Sequence, residues 1–336
     1  MRKLFFLNHE GTMKKNFTVL ILFLSCVFFS EKTYAAETPW SGNIASNTTW
    51  TSLNSPYVIT GTIQIYPGAR LTIEPGVTIK FNPNAALKVG GVLKAIGTTD
   101  NNISFTSNQA APQEGDWSGI EFTDLASGAK IDNNTNYISG SIFKYCTIEY
   151  ASNYAIQATN APYLDSNLIQ DNHGGVYFSC PPASSTAVIK NSVIKNNKSS
   201  GGLTIIGGTT IIKNNQILNN AAYTEGGGLK IAFSNAIITG NNIEGNSNDN
   251  YGGGIFIYGS SNVNIFNNII KNNFSALGTA IYMGSYGKIN INYNTITENY
   301  PSDLTLGSAV FCSDEGLNVS NFRLDFCMET DPVFAL

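Results

Sequence analysis

The chain has 336 residues, with 19 Lys and Arg against 23 Asp and Glu, for a net charge of −4. Charged residues make up 12% of it, about half the usual share for a soluble protein, and Asn, Ser, Thr and Gly supply the polar surface instead. Scattered Lys and Arg exclude the basic stripe that nucleic-acid binding needs, and no segment reads as a phosphate cradle.

Residues 1–36 read as a leader with a signal peptide. Lys14-Lys15 is a positive start, Phe17–Phe29 is an apolar run too short to span a bilayer comfortably, and Thr33-Tyr34-Ala35 offers small residues before a cut after Ala35. Met13 is the better start of translation. Cys26 makes a poor lipid-attachment box, because Val27-Phe28-Phe29 continues the apolar run past it. The expected mature chain has no membrane span and lies outside the cytoplasm: extracellular, at the cell surface or in a periplasm. Residues 37–57 have no clean period and are expected to form an N-terminal cap, with Trp40 and Trp50 plugging the first end of a repeating body.

Periodic text runs over 58–312. Thr62-Ile63-Gln64-Ile65, Leu71-Thr72-Ile73, Val77–Phe81, Leu87-Lys88-Val89, Val92–Ala95, Ile103-Ser104-Phe105 and Ile120-Glu121-Phe122 alternate with period two between turns rich in Gly, Pro or Asn. These are short strands, and no window supports an ordinary amphipathic helix. From Ser141 the repeat is explicit: Ile148, Ile169, Ile194, Ile217, Ile243, Ile270 and Ile296 succeed one another at 21, 25, 23, 26, 27 and 26 residues. Three positions after six of them stand Asn172, Asn197, Asn220, Asn246, Asn273 and Asn299; Ala151 stands after the first. Two positions before stand Asn167, Asn215, Asn241, Asn268 and Asn294, with Cys146 and Ser192 as exceptions, and five before, Ile189, Ile212, Ile238, Ile265 and Ile291 recur.

A period in this range means a stacked solenoid. Asn tolerates the left-handed turn conformation and its amide can bond to the Asn one coil above and below, while isoleucines at one phase build a continuous inner column. With three strands per coil at ~4.8 Å spacing, roughly ten coils would stack to on the order of 50 Å. The fold expected is all-β, a parallel β-helix of roughly ten coils with N- and C-terminal caps. Residues 313–336 lose the Asn and Gly marks and are expected as the C-terminal cap, unless the chain originally continued beyond them.

Export puts Cys146, Cys180, Cys312 and Cys327 in an oxidising compartment. Of the three pairings that four cysteines allow, a Cys312–Cys327 clasp is the expected one; buried free thiols are the alternative. No zinc spacing is present.

Two blocks resemble secreted bacterial right-handed parallel β-helix proteins of the pectate-lyase-like superfold. One is Gly68–Phe81 with Gly115-Asp116-Trp117-Ser118-Gly119-Ile120 after it, and the other is the Asn-x-Ile-x-x-Asn repeat with its Gly-Gly-Gly-Ile-x-Ile strands. Right-handedness is what the resemblance implies. Members include polysaccharide lyases, glycoside hydrolases, phage tailspikes and adhesins, so the resemblance leaves activity open.

The hydrolase motifs of that superfold (Asn-Thr-Asp, an Asp-Asp pair, Gly-His-Gly) are missing. Glu114, Asp116, Glu121 and Asp124 cluster on an irregular stretch where Trp117 is expected to pack, and His173 reads as a turn residue. The resemblance implies that a lyase would need an Arg or Lys base, often with calcium; Arg70, Lys190, Lys213, Lys230 and Arg323 offer no partner set. No cofactor or metal is expected.

One surface feature remains. Alternation on the glycine-led strands turns Val176/Phe178, Leu203/Ile205, Leu229/Ile231, Ile255/Ile257, Ile281/Met283 and Val310/Cys312 inward, and Tyr177, Thr204, Lys230, Phe256, Tyr282 and Phe311 outward. Tyr177, Lys230, Phe256, Tyr282 and Phe311 are the candidate ligand-binding residues. Their rings either face sugar or a partner protein or stack on one another to strengthen the sheet. The function expected is an exported interaction protein that binds polysaccharide or cell-surface material without catalysis; the alternative is a polysaccharide lyase or glycoside hydrolase.

Overall fold

The computed structural model describes residues 36–180, 186–285, 287–302 and 308–313, and the backbone of 324–326. Short strands separated by left-handed corners wind into coils. The coil that starts at Thr209 shows the plan. Thr209–Lys213 lies on a first face, Gln216–Leu218 on a second and Leu229–Ala232 on a third. The next coil repeats it with Asn235–Thr239, Asn242–Glu244 and Ile255–Gly259, all parallel and in register. Among the described residues the third, glycine-led face holds ten strands. A fourth strand of two residues, absent from the expected plan, comes after the second face in later coils: Ala221–Ala222, Ser247–Asn248, Phe274–Ser275 and Tyr300–Pro301.

The isoleucine column is continuous. Ile148, Ile169, Ile194, Ile217, Ile243, Ile270 and Ile296 are mutual register partners on the second face. The inward pairs of the third face meet them in a single core, with Leu229, Ile231, Ile255 and Ile257 fully buried. No coil buries this surface alone, so stacking supplies the hydrophobic stabilisation.

The asparagines form two ladders, one at each end of the second face. Asn246 is typical. Its Oδ1 accepts from the backbone N–H and the Nδ2 of Asn220, at 3.0 Å each, while its own N–H and Nδ2 donate to Asn273 Oδ1 at 2.9 and 3.0 Å. A further Nδ2 proton goes to the Ile217 carbonyl. At the other corner Asn215 donates in the same way to Asn241, Asn241 to Asn268 and Asn268 to Asn294. The amides are almost completely buried, and each nitrogen has a carbonyl partner, so burial carries little penalty. The left-handed turn belongs to a different residue than expected. It falls one position earlier, on Asn196, Asn214, Asn219, Asn267 and Asn272, or on Gly240 and Gly245. The ladder Asn supplies the inward amide, and its predecessor supplies the corner. Where Asn is missing, the chain substitutes: Ser192 Oγ accepts from the Asn167 N–H, and the Ala151 N–H still donates to Asn172 Oδ1.

Glycine has a separate job at the triplets. Gly226 and Gly252 take φ of 73° and 68°, and a Cβ on Gly253 would lie 2.4 Å from the Phe274 carbonyl oxygen. The second glycine therefore lets successive backbones touch.

Two stretches depart from the period. Within residues 37–57, Thr38–Trp40 and Thr48–Trp50 pair in parallel with Tyr57–Ile59 and Arg70–Ile73, and Ile44 bridges Ile65, so the region assigned to a cap carries the strands of a coil. Trp50 stacks on Tyr57 at 4.8 Å and Trp40 meets it edge-on at 5.4 Å. The coil from Lys94 to its partner Ile142 is far longer than its neighbours. It carries a loop over 108–119 and an antiparallel hairpin, Lys130–Ile131 with Tyr137–Ser139. The hairpin lies over the outside of the first face, where Ala129, Ile142, Tyr163 and Val188 make a second small core. Near the C-terminus, Leu324–Phe326 adds a strand to the first face. Cys327, and with it the Cys312–Cys327 pairing, lies outside the described residues.

Asn246→Ala leaves the two Asn220 donors without their acceptor and removes one of the donors to Asn273 Oδ1 and the side-chain donor to the Ile217 carbonyl, all in a dry corner, and should cost on the order of 3–5 kcal/mol. Asn264→Ala removes an exposed Asn–Asn bond to Asn290 and should cost less than about 1 kcal/mol. Urea unfolding compares the two; equal losses would contradict a buried, fully paired ladder. Ser192→Asn restores a missing rung and should stabilise by about 1 kcal/mol on the same assay, whereas a loss would show that the corner has no room for the amide.

Candidate functional site

The outward residues of the third face fall in one column because the strands share register. Gln64, Lys88, Glu121, Gln157, Tyr177, Thr204, Lys230, Phe256, Tyr282 and Phe311 succeed one another along it. Toward the N-terminus the column is polar, with Lys88 and Glu121 paired at 3.2 Å. Tyr177 packs on Tyr154 with centroids 4.9 Å apart. Toward the C-terminus it becomes an aromatic spine. Phe256 and Tyr282 stack at 5.2 Å with planes 12° apart, and Tyr282 and Phe311 at 5.3 Å and 16°. Lys230 Nζ sits 5.9 Å from the Phe256 centroid and 2.7 Å from Glu225 Oε2.

These contacts decide what the spine can offer. Both faces of Tyr282 are covered by neighbouring rings, and Phe256 lies between Lys230 and Tyr282 with only 5% of its surface exposed. Thr204 is buried as well. The five candidate residues are thus aligned, but Phe256 and Tyr282 present edges rather than flat faces. Flat, accessible rings stand beside the spine. Tyr258, two residues along from Phe256, is 48% exposed, and Tyr251, 4.8 Å from Tyr282, is 40% exposed. Phe233 meets Tyr258 at 88°. Sequence reading passed over these three. Phe233 carried a usable signal, since it stands at the phase where the adjacent coils have Gly207 and Gly259.

Groups suited to acid–base chemistry gather elsewhere, where the 108–119 loop meets the end of the second face. His173 Nδ1 lies 3.3 Å from Glu114 Oε1. Asp116 accepts from Ser107 Oγ at 2.6 Å and the Gln113 N–H at 2.9 Å, and Glu149 accepts from Thr106 and Gln170 on neighbouring coils. Trp117 is fully buried, stacked on Phe81 with its indole N–H on the Glu149 carbonyl. The Tyr150 phenol is raised by burial and then by the Glu149, Asp171 and Asp116 charges, the wrong direction for a base. Lys190, on the outside of the first face, fares no better. Burial alone would lower its pKa, but the Tyr163 hydroxyl and Asp165 outweigh that and raise it, whereas a lysine acting as base must be lowered. Cys146 is buried and its thiol pushed up by burial, so it is no nucleophile.

Among the described residues no group of three or more His, Cys, Asp or Glu side chains is placed to hold a metal ion. No helix among them is long and apolar enough to cross a membrane.

Comparison with known proteins agrees with this architecture. Residues 136–296 and 217–325 match the family described as right handed beta helix region, and residues 42–143 match the pectate-lyase like beta helix domain. Over 66 residues the chain is 47% identical to Protein bark beetle of Drosophila melanogaster, a match covering 20% of this chain and 2% of that protein. No solved structure matches at a significant level. With parallel coils in register throughout and more than half of its length matched, the chain belongs to the right-handed β-helix family.

Proposed function

We propose that the chain is an exported, non-catalytic scaffold that binds polysaccharide or similar cell-surface material along its glycine-led face. The observation that carries this reading is the aromatic spine of Phe256, Tyr282 and Phe311 with the exposed Tyr251 and Tyr258 beside it. Exposed tyrosines on a rigid sheet combine apolar ring surface with a hydroxyl, the pairing that sugar rings and partner proteins both use. Export rests on the leader-like residues 1–36. A lyase or glycoside hydrolase is the competing reading, and the grouping that favours it is His173 with Glu114 and the acids around them. Against a lyase stand the raised Tyr150 and Lys190, neither of which is shifted in the direction a base needs.

Retention of the Tyr251→Ala/Tyr282→Ala double variant on immobilised polysaccharide should fall about tenfold or more, the effect of losing roughly 1.4 kcal/mol, with its circular dichroism unchanged. Retention equal to wild type would contradict the reading. Release of unsaturated uronates or new reducing ends by the wild-type protein would make it an enzyme instead.

A further inference from the structure

We propose that Lys190 and Lys213, side by side on the outside of the first face, form a site for an anionic group of an acidic polysaccharide. The ligand class rests on the polysaccharide-binding reading, while the site itself rests on residues away from the third face.

One outward column of the first face runs Lys144, Asp165, Lys190, Lys213 and Thr239 on consecutive coils, each in register with the next. Like charges directly opposite one another in a sheet repel, and opposite charges stabilise it. Elsewhere the chain follows that rule. Lys88 faces Glu121, Lys144 faces Asp165 and Lys271 faces Glu244 as register partners, with N–O distances of 3.2, 3.4 and 3.2 Å. Among the described residues, Lys190 against Lys213 is the one lysine pair in register. A local rule kept elsewhere and broken at one place points to function there.

The acid of the column cannot repair the pair. Asp165 Oδ2 already serves two ammonium groups, Lys144 at 3.4 Å and Lys190 at 4.0 Å. Its Oδ1 accepts from Asn191 Nδ2 at 2.8 Å and Ser166 Oγ at 3.1 Å. It is 7% exposed and stands two coils from Lys213. On the far side of Lys213 the column continues with the uncharged Thr239. Three lysines therefore share one carboxylate, which leaves two positive charges uncompensated in the column.

Lys190 is also held in place. Its Nζ lies 5.3 Å from the centroid of the Tyr163 ring, and the Tyr163 hydroxyl donates to the Thr135 carbonyl in the hairpin turn at 2.9 Å. An ammonium fixed between Asp165 and that ring loses little freedom when a ligand arrives. Lys213 is exposed and in no ion pair among the described residues. A carboxylate or sulfate between the two ammonium groups replaces their repulsion with two charge-assisted contacts. Two uncompensated charges suit a glycan that carries its charges singly along the chain, whereas nucleic acid gains its affinity from many phosphate contacts. The net charge of −4 opposes polyanions as a whole, so the attraction must be local.

Native affinity electrophoresis in gels containing polygalacturonate, dextran sulfate or neutral dextran tests this. Wild type should be retarded by one or both acidic polymers, less so as salt is added, and not by dextran. Lys213→Glu should weaken that retardation about tenfold or more. It should also raise the thermal midpoint of the ligand-free protein by about 1 °C, because it sets an acid opposite Lys190. Lys195→Glu, the same change of charge on the second face, should be retarded like wild type. Equal weakening in the two lysine variants, or a lowered midpoint in Lys213→Glu, overturns the site. Retardation lost in Tyr251→Ala/Tyr282→Ala but kept in Lys213→Glu also overturns it, and leaves the third-face reading standing. No retardation by either acidic polymer overturns the site as a glycan site, and a midpoint raised by inorganic phosphate in that case would show a free-anion site instead.

Discussion

The structure depends on a side-chain amide buried between coils. A solenoid corner exposes backbone donors and acceptors that neither flanking strand can satisfy, and at the inner side of a corner water is excluded. Asn answers this with one residue type. Its carbonyl oxygen takes the two donors of the preceding coil, and its nitrogen serves a backbone carbonyl and the next rung. Because each rung satisfies its neighbours, removing one harms two coils, which makes the ladder cooperative along the stack. Two ladders flank the second face from Asn167 to Asn299 and fix the start and end of its strands, with Ser192 standing in at one rung.

Register fixed at the corners propagates to the surface. Outward side chains of successive coils must lie one above another, so a chain without order among its outward residues would show mixed columns. Here the third face sorts into a charged and polar stretch and then an aromatic one. The first face shows the other use of such a column. Its outward Ile142, Tyr163 and Val188 are apolar, and the hairpin of the long coil covers them. One face is roofed by the chain itself while the glycine-led face keeps exposed tyrosines, and that contrast places the binding proposal on the third face.

Much of the fold was legible in the sequence because its determinants repeat. Isoleucine at one phase and Asn three residues later can be read without coordinates, since a period of about 26 has no other economical explanation. The division of labour at the corners was not legible. Asn196 and Asn197 are the same residue type, and only the backbone shows that the first turns and the second bonds. The strands within residues 37–57 were hidden because the segment has no clean period in the sequence. At the candidate site, alternation put Lys230, Phe256, Tyr282 and Phe311 in one column but could not show that stacking would cover the faces of Phe256 and Tyr282. The pairing of His173 with Glu114 left no local trace, because an irregular loop brings them together. Phe233 was visible only as a break in a glycine phase, a signal that has meaning once the coils are aligned.

Residue-resolved native-state hydrogen exchange tests the central role of the ladder most directly. The backbone amides of Asn220, Asn246 and Asn273, whose acceptors are side-chain carbonyls of the next coil, should exchange only through global unfolding, with the same protection as the Ile243 amide in the core column. Exchange of those corner amides at the rate of exposed turns, while Ile243 remains protected, would contradict the account.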